Sequence, residues 1–292
     1  MPKTKLKKTL DLWSIRHLAL RLSISADELI SVSKITDKFY LPWQKPKGDG
    51  SFRDLTTVFP RLKTIQKAIH QLLKKIRLDD SAQGGVPGKT NRSNAAIHCG
   101  QTFIYKLDFK SYFPSIPHHR VFYLFRHELK CSEEVASVLS KLCTVNGCVP
   151  QGAHTSMDIA NLVCRDLDPW LRNLAISFGL KYTRYVDDLT FSGKKIPARF
   201  VNKFKRIIRS KRWLSLNDKK EALKGRNQAQ TVTGLNVKYE KPRITKSYKN
   251  SVKTEKHILS KYASNRLTND ELNKSWSSIK GKENYISHIE GA

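Results

Sequence analysis

Tyr185-Val186-Asp187-Asp188 sets two adjacent carboxylates between two extended, partly apolar segments, Lys181 to Tyr185 and Leu189 to Ser192. The pattern predicts two strands with the acidic pair at the turn between them. A third carboxylate, Asp108, ends another strand-like run, Phe103-Ile104-Tyr105-Lys106-Leu107, 79 residues before Asp187. Two-metal phosphoryl chemistry needs carboxylates from separate strands that converge on a pair of Mg²⁺ ions. Asp108 and Asp187 supply that pattern, and Asp188 stands beside them to ligate or orient.

The rest of the chain suits a polyanionic partner. Its 292 residues carry 54 Lys+Arg against 25 Asp+Glu, a net charge of +29, which points to nucleic acid. The excess is concentrated: from Lys194 to Arg226 there are 13 basic and two acidic residues, interleaved with Phe200, Phe204, Ile207, Ile208 and Trp213. That spacing predicts an amphipathic helix with a basic outer face. No apolar run approaches the roughly 18 residues of a membrane span, and the basic start lacks a signal-peptide core, so a soluble, cytoplasmic protein without a membrane partner is expected. The five cysteines include no Cys-x-x-Cys pair and read as reduced, packed thiols rather than zinc ligands.

Toward the N-terminus, residues 1–40 read as helices, with Ser25 capping the one that starts at Ala26. Lys45 to Arg53 read as a hairpin that brings Lys47 and Arg53 near one another, cations suited to a triphosphate; an ordinary exposed hairpin fits the same residues. Leu62 to Leu73 has helical apolar spacing. The turn-rich stretch Gln83 to Ser93 lacks the G-x-x-x-x-G-K-[ST] pattern, which excludes a P-loop NTPase. Ser93 or Asn94 is expected to cap a helix from Ala95 to His98. Val149 to Ala153 reads as a tight turn before a helix capped by Thr155 or Ser156, with Pro169 dividing it and Gly179 ending it. Thr231 to Val237 reads as a strand, and residues 238–292, with 12 basic and six acidic residues, as a small helical module.

The order of these blocks resembles the reverse transcriptases over about residues 40 to 240: strand-Asp-x4-aromatic, Pro-Gln-Gly, Tyr-x-Asp-Asp, then a lysine block. The resemblance implies an α/β (α+β) right-hand polymerase with an antiparallel-sheet palm. Fingers would comprise 1–103 and 117–148, palm 104–116 and 149–237, and a short helical thumb 238–292. It implies catalysis by Asp108, Asp187 and Asp188, metal binding by these acids with Phe109, and dNTP substrates. Lys47, Arg53, Gln151 and Lys220 (or Lys219 in the adjacent register) would contact the nucleotide. Phe113 would be the gate that excludes a ribose 2′-OH.

Two further blocks, Asn94-Ala95-Ala96-Ile97-His98 and Val232-Thr233-Gly234, are similar to elements of bacterial retron reverse transcriptases. That likeness implies recognition of a cognate structured noncoding RNA (msr-msd) by Asn94, His98, Val232, Thr233 and Gly234. His98 is either an RNA contact or a buried or capping histidine. The resemblance further implies a branched RNA–DNA product primed from a guanosine 2′-OH, and an effector or toxin protein as partner in anti-phage defence. An RNA-binding subunit that restrains such an effector is the alternative role. The chain departs from the retron pattern at Val186, where Ala is usual, and at His154 and Met157, where prolines are usual.

Overall fold

The computed structural model describes residues 8–46, 48, 50–262 and 268–291. Helices α1 (Ile15–Leu22) and α2 (Ala26–Lys34) lead into a hairpin of β1 (Tyr40–Pro46) and β2 (Phe52–Val58), then α3 (Pro60–Leu73) and α4 (Asn91–Ile97). Strand β3 (Phe103–Asp108) is followed by α5 (Tyr112–Ser115), α6 (His118–Tyr123) and α7 (Glu133–Cys143). Next come α8 (Ser156–Leu162), α9 (Leu167–Ser177), β4 (Lys181–Tyr185), β5 (Asp188–Gly193) and α10 (Ala198–Ser210). Short strands β6 (Ala222–Gly225), β7 (Thr231–Val232), β8 (Leu235–Asn236) and β9 (Arg243–Ile244) precede α11 (Lys246–Tyr262) and α12 (Asn269–Glu290).

The central sheet has the order β4-β5-β3-β6, and each pairing is antiparallel. Side chains alternate faces along a strand. In β5, therefore, Asp188 and Ser192 share one face while Leu189 and Phe191 take the other. The Phe191 face is covered by α10, whose Phe200 and Phe204 rings meet Phe191 edge-on at 4.9 and 5.1 Å. Tyr182 of β4 stacks on Phe191 at 4.8 Å on the same side. One face of the sheet is thus an aromatic core, which leaves the end of the other free to carry acids.

Arg184 of β4 lies within this core and is fully buried with its partner Asp168 of α9. The guanidinium donates to both Asp168 carboxylate oxygens at 2.9 and 2.6 Å, to Asn161 Oδ1 at 3.0 Å and to the Val186 carbonyl at 2.9 Å. Tyr182 donates its hydroxyl to the same carboxylate at 3.0 Å. A buried charge is tolerated when it is paired and its donors are satisfied, and here the satisfied donors also tie α9 and α8 to the acidic turn.

Several local expectations change. α4 begins at Asn91 rather than Ala95, because Thr90 and Ser93 form a reciprocal cap: Ser93 N–H donates to Thr90 Oγ1 at 3.1 Å and Thr90 N–H to Ser93 Oγ at 2.9 Å. Neither Thr155 nor Ser156 caps α8 through its side chain; the Ser156 hydroxyl donates to the Pro150 carbonyl instead, at 2.6 Å. The break between α8 and α9 precedes Pro169, which sits in the first turn of α9, where its missing N–H costs nothing. Residues 231–237 form a hairpin and not one strand, since Thr233 (φ 46°) and Gly234 (φ 82°) are both left-handed, as a two-residue hairpin turn requires. All five cysteines are free thiols, and among the described residues no helix is long and apolar enough to cross a membrane.

Because removing one partner strands a buried charge, Asp168→Ala is expected to cost ~3–5 kcal/mol in urea unfolding. Asp168→Asn, which keeps an acceptor without the charge, is expected to fall between that variant and the unaltered chain.

Candidate active site

The register of the central sheet places Asp108, the last residue of β3, directly across from Asp188, the first of β5. Asp187 occupies the β4–β5 turn, and its carbonyl accepts from the Phe109 N–H at 3.1 Å. One oxygen from each of Asp108, Asp187 and Asp188 lies within 4.8 Å of the other two. Burial, then the Asp108 charge, raises the Asp187 pKa. Burial and the charges of Asp187 and Asp108 push Asp188 up to about 6. Lys220 answers part of this repulsion: its Nζ donates to Asp108 Oδ2 at 2.7 Å, and that bond raises the lysine above its ordinary value. Of the two adjacent lysines, Lys220 is the one that pairs with Asp108. Its position comes from the 3-10 turn Asp218–Lys220 and the Asn217 N–H, which donates to the Asp108 carbonyl at 2.8 Å.

Val186 holds the turn with φ 61°, a conformation costly for a β-branched residue. Two contacts impose it. Arg184 binds the Val186 carbonyl from one side. From the other, Gly84 packs so closely that a Cβ there would stand 2.7 Å from the Val186 nitrogen. Gly84 is held in turn by Asn161, whose amide donates to the Gly84 carbonyl at 2.9 Å. Its neighbour Gln83 donates its N–H to the Arg184 carbonyl at 2.8 Å. Arg184, Asp168, Asn161 and Gly84 were not recognised from sequence. The available signal was an arginine two residues after Tyr182, on the same face of a five-residue strand, where burial requires an acidic partner.

The β1–β2 hairpin reaches the same region through backbone contact. Thr56 N–H of β2 donates to the Gln151 carbonyl at 2.8 Å. Gly152 (φ 115°) approaches so closely that a Cβ would lie 2.7 Å from the Thr56 carbonyl oxygen, so the Pro150-Gln151-Gly152 turn has to be glycine there. Arg53 lies on the exposed β2 strand opposite Lys45; Lys47 falls outside the described residues. Phe113 is half-buried, with its ring 5.9 Å from that of Tyr112. Phe109 is buried and stacked on Tyr112 at 5.1 Å, so only its backbone carbonyl is of a chemistry to ligate a cation. Met157 packs against Gly85, a contact closer than a Cβ there would permit, and His154 is exposed.

The two short elements separated by about 140 residues do meet. Thr233 Oγ1 donates to the Asn91 carbonyl at 3.1 Å, Asn91 Nδ2 to the Thr233 carbonyl at 3.5 Å, and Asn94 Nδ2 to Thr233 Oγ1 at 3.4 Å. Direct RNA contact by all five residues does not follow. His98 is fully buried, bridging Ser192 Oγ and Thr183 Oγ1 at 2.7 Å each. Burial, aided by the Lys181 charge, pushes its pKa down to about 3, so it is a neutral strut under β4 and β5 and not an RNA contact. Val232 and Asn94 are likewise buried. Of the five, Gly234 is exposed and Thr233 partly so.

Residues 45–249 match the family model for reverse transcriptase (RNA-dependent DNA polymerase). The chain belongs to the reverse transcriptase family. Within it, the chain is 34% identical over 201 residues to the retron Ec86 reverse transcriptase of Escherichia coli, covering 67% of this chain and 62% of that relative. It is 30% identical over 236 residues to the retron Se72 reverse transcriptase of Salmonella heidelberg (strain 579083-10), covering 78% and 62%. The chain thus spans less than two thirds of these relatives' lengths. The fold is shared with an apo telomerase from Candida tropicalis truncated from its C-terminal domain: TM-score 0.50, 12% identity, 78% of this chain and 60% of that one. Three carboxylates from two strands form an all-oxygen donor set that fits hard divalent cations, in keeping with the divalent-metal dependence of the family.

The raised Asp188 pKa has a defined sign. A carboxyl whose folded pKa lies above its ordinary 3.8 favours the folded state when protonated, so this contribution to stability is lost as pH rises from about 4 through about 6. Asp188→Asn is therefore expected to make the cation-free protein more stable near neutrality by up to ~3 kcal/mol, a gain that vanishes toward pH 4. Thermal melts of both proteins across that range, with chelator present, measure the difference.

Proposed function

We propose that the chain is an RNA-directed DNA polymerase of a retron. The observation that carries this reading is the Asp108–Asp188 register with Asp187 at the turn, which converges three carboxylate oxygens at one strand end. Asp108, Asp187 and Asp188 would hold two Mg²⁺ ions, which when bound activate the attacking hydroxyl and neutralise charge on the leaving group. Catalysis of this kind is largely positioning and electrostatics. Lys220, already drawn to the acids, lies where it can turn to an incoming triphosphate; Arg53 on the fingers hairpin, with Lys47, would meet the same phosphates. Gln151, held by the β2 contact, would line the nucleotide pocket. Phe113, seated on Tyr112, would press against the sugar and exclude a 2′-OH. In this reading 1–103 and 117–148 are fingers, 104–116 and 149–237 palm, and 238–292 thumb.

The likeness to retron enzymes supports the finer reading. The template would be part of a cognate structured noncoding RNA, copied from a guanosine 2′-OH into a branched RNA–DNA in the bacterial cytoplasm. The Thr233-Gly234 turn, braced by Asn91 and Asn94, would be among its RNA contacts. An effector protein restrained by the resulting complex would give the enzyme its place in anti-phage defence.

Replacing Asp187 and Asp188 by Asn should lower dNTP incorporation by ~10²-fold or more, the loss of several kcal/mol of charge stabilisation, while RNA binding in a gel-shift assay persists. Undiminished synthesis would refute the catalytic assignment. Phe113→Val should admit ribonucleotides: the ratio of rNTP to dNTP incorporation on a primed template is expected to rise at least ~10-fold, the effect of about 1.4 kcal/mol of relieved steric conflict.

A further inference from the structure

The polymerase reading assigns no role to the most basic part of the chain. From Lys194 to Leu216 there are nine Lys and Arg and no Asp or Glu. Most of this segment is α10, which buries Phe200, Phe204 and Ile208 and leaves Arg199, Arg206 and Arg209 exposed. These three recur seven and three residues apart, so they share one outward face and span about 15 Å along it. Lys205 is committed to Glu221 at 2.6 Å. Among the described residues no carboxylate pairs with Arg199, Arg206 or Arg209.

Aromatic rings border this face. Trp170 of α9 is 50% exposed, with Lys211 Nζ 5.9 Å from its ring centre. Lys203 lies 5.7 Å from the ring of Phe178. A solubilising surface mixes signs and hides its aromatics. Arginines without acidic partners beside the exposed Trp170 ring are the composition of a surface that tracks a phosphate backbone and stacks bases.

Its place in the fold separates it from the acids. α10 packs on the Phe191 side of the central sheet, and strand alternation puts Asp188 on the opposite side. A template–primer engaged at Asp108 and Asp188 therefore cannot lie on α10 at the same position along its length. We propose that the outer face of α10, with Trp170 and Lys211 at its edge, is a second nucleic-acid surface that holds a structured, uncopied segment of RNA while another segment occupies the catalytic side. The inference rests on the polymerase reading only for the presence of an RNA partner. Phosphate contacts position a nucleic acid without reading its sequence, so this surface would orient the RNA rather than select it.

The test uses the full chain with Arg199→Gln, Arg206→Gln and Arg209→Gln combined, three exposed substitutions outside the polymerase site. The probe is a fluorescein-labelled RNA hairpin with single-stranded flanks, titrated by anisotropy onto protein already saturated with oligo(dT)-primed poly(rA). The unaltered chain should bind the hairpin without releasing the primed template. The triple variant should bind it about 10- to 100-fold more weakly, with a log–log salt slope smaller by about two to three, and should extend oligo(dT) at the unaltered rate. Displacement of the primed template by the hairpin would overturn the proposal, as would an unchanged affinity and slope in the variant or a matching loss of primer extension. So would loss of binding to phosphatidylserine–phosphatidylcholine vesicles with hairpin affinity intact, which would make the face a lipid contact. Failure of the unaltered chain to extend oligo(dT) would count against the polymerase reading alone, since the hairpin titration still reports on α10.

Discussion

Three carboxylates within 4.8 Å of one another repel, and the centre of this molecule is arranged to hold them there. Backbone hydrogen bonding does most of it. The β3–β5 ladder fixes Asp108 against Asp188, and the Phe109 N–H bond to the Asp187 carbonyl closes the end of the ladder. Lys220 offsets part of the charge at Asp108, and the repulsion that remains, together with burial, raises the Asp188 pKa. The cost of assembling the acids is borne by the surrounding fold, so a hard cation would meet the three groups already gathered.

That support runs outward in layers. The Arg184–Asp168 pair, wholly buried, is connected through Arg184 to the carbonyl of Val186 and through Asn161 to Gly84. Helices α8 and α9 and the Gln83-Gly84 segment are therefore mechanically coupled to a turn whose central residue has an unfavourable φ. The Val186 departure from the usual alanine fits this scheme, since its γ carbon fills the space against Gly84. On the opposite side of the sheet from α10, His98 performs a similar task with uncharged hydrogen bonds to β4 and β5. The element around His98 is thereby tied to the two strands that flank the acidic turn.

Charge is distributed in keeping with this division. The acids converge at one end of one sheet face, while the cations of α10 cover the other face, where the aromatic packing of Phe191, Phe200 and Phe204 isolates them from the site. An excess of +29 placed evenly would weaken the hold of any cation on the carboxylates. Behind the aromatic layer, the nine Lys and Arg from Lys194 to Leu216 act on the acids only at a distance and at a smaller electrostatic cost to the site.

The chain itself determined the elements that local chemistry dictates. Strand alternation around Asp187-Asp188, the helical spacing of Leu62 to Leu73 and of Phe200 to Ile208, and the Ser25 cap are short-range effects, and their positions followed to within a residue or two. The acids were legible because a carboxylate at the end of an apolar strand has to be solvated, paired or bound to a cation, and three of them together favour the cation. What only the tertiary structure decided involves partners brought together by the fold: Lys220 rather than Lys219 on Asp108, the Asp168 carboxylate behind Arg184, Gly84 beneath Val186, and His98 as a buried strut. The start of α4 also escaped notice, because Thr90 and Ser93 form a better reciprocal cap than Ser93 or Asn94 alone. In each tertiary case the residue type admitted several roles, and burial together with hydrogen-bond satisfaction between separate elements selected one. Local sequence carries no information about which distant group will be there to accept the bond.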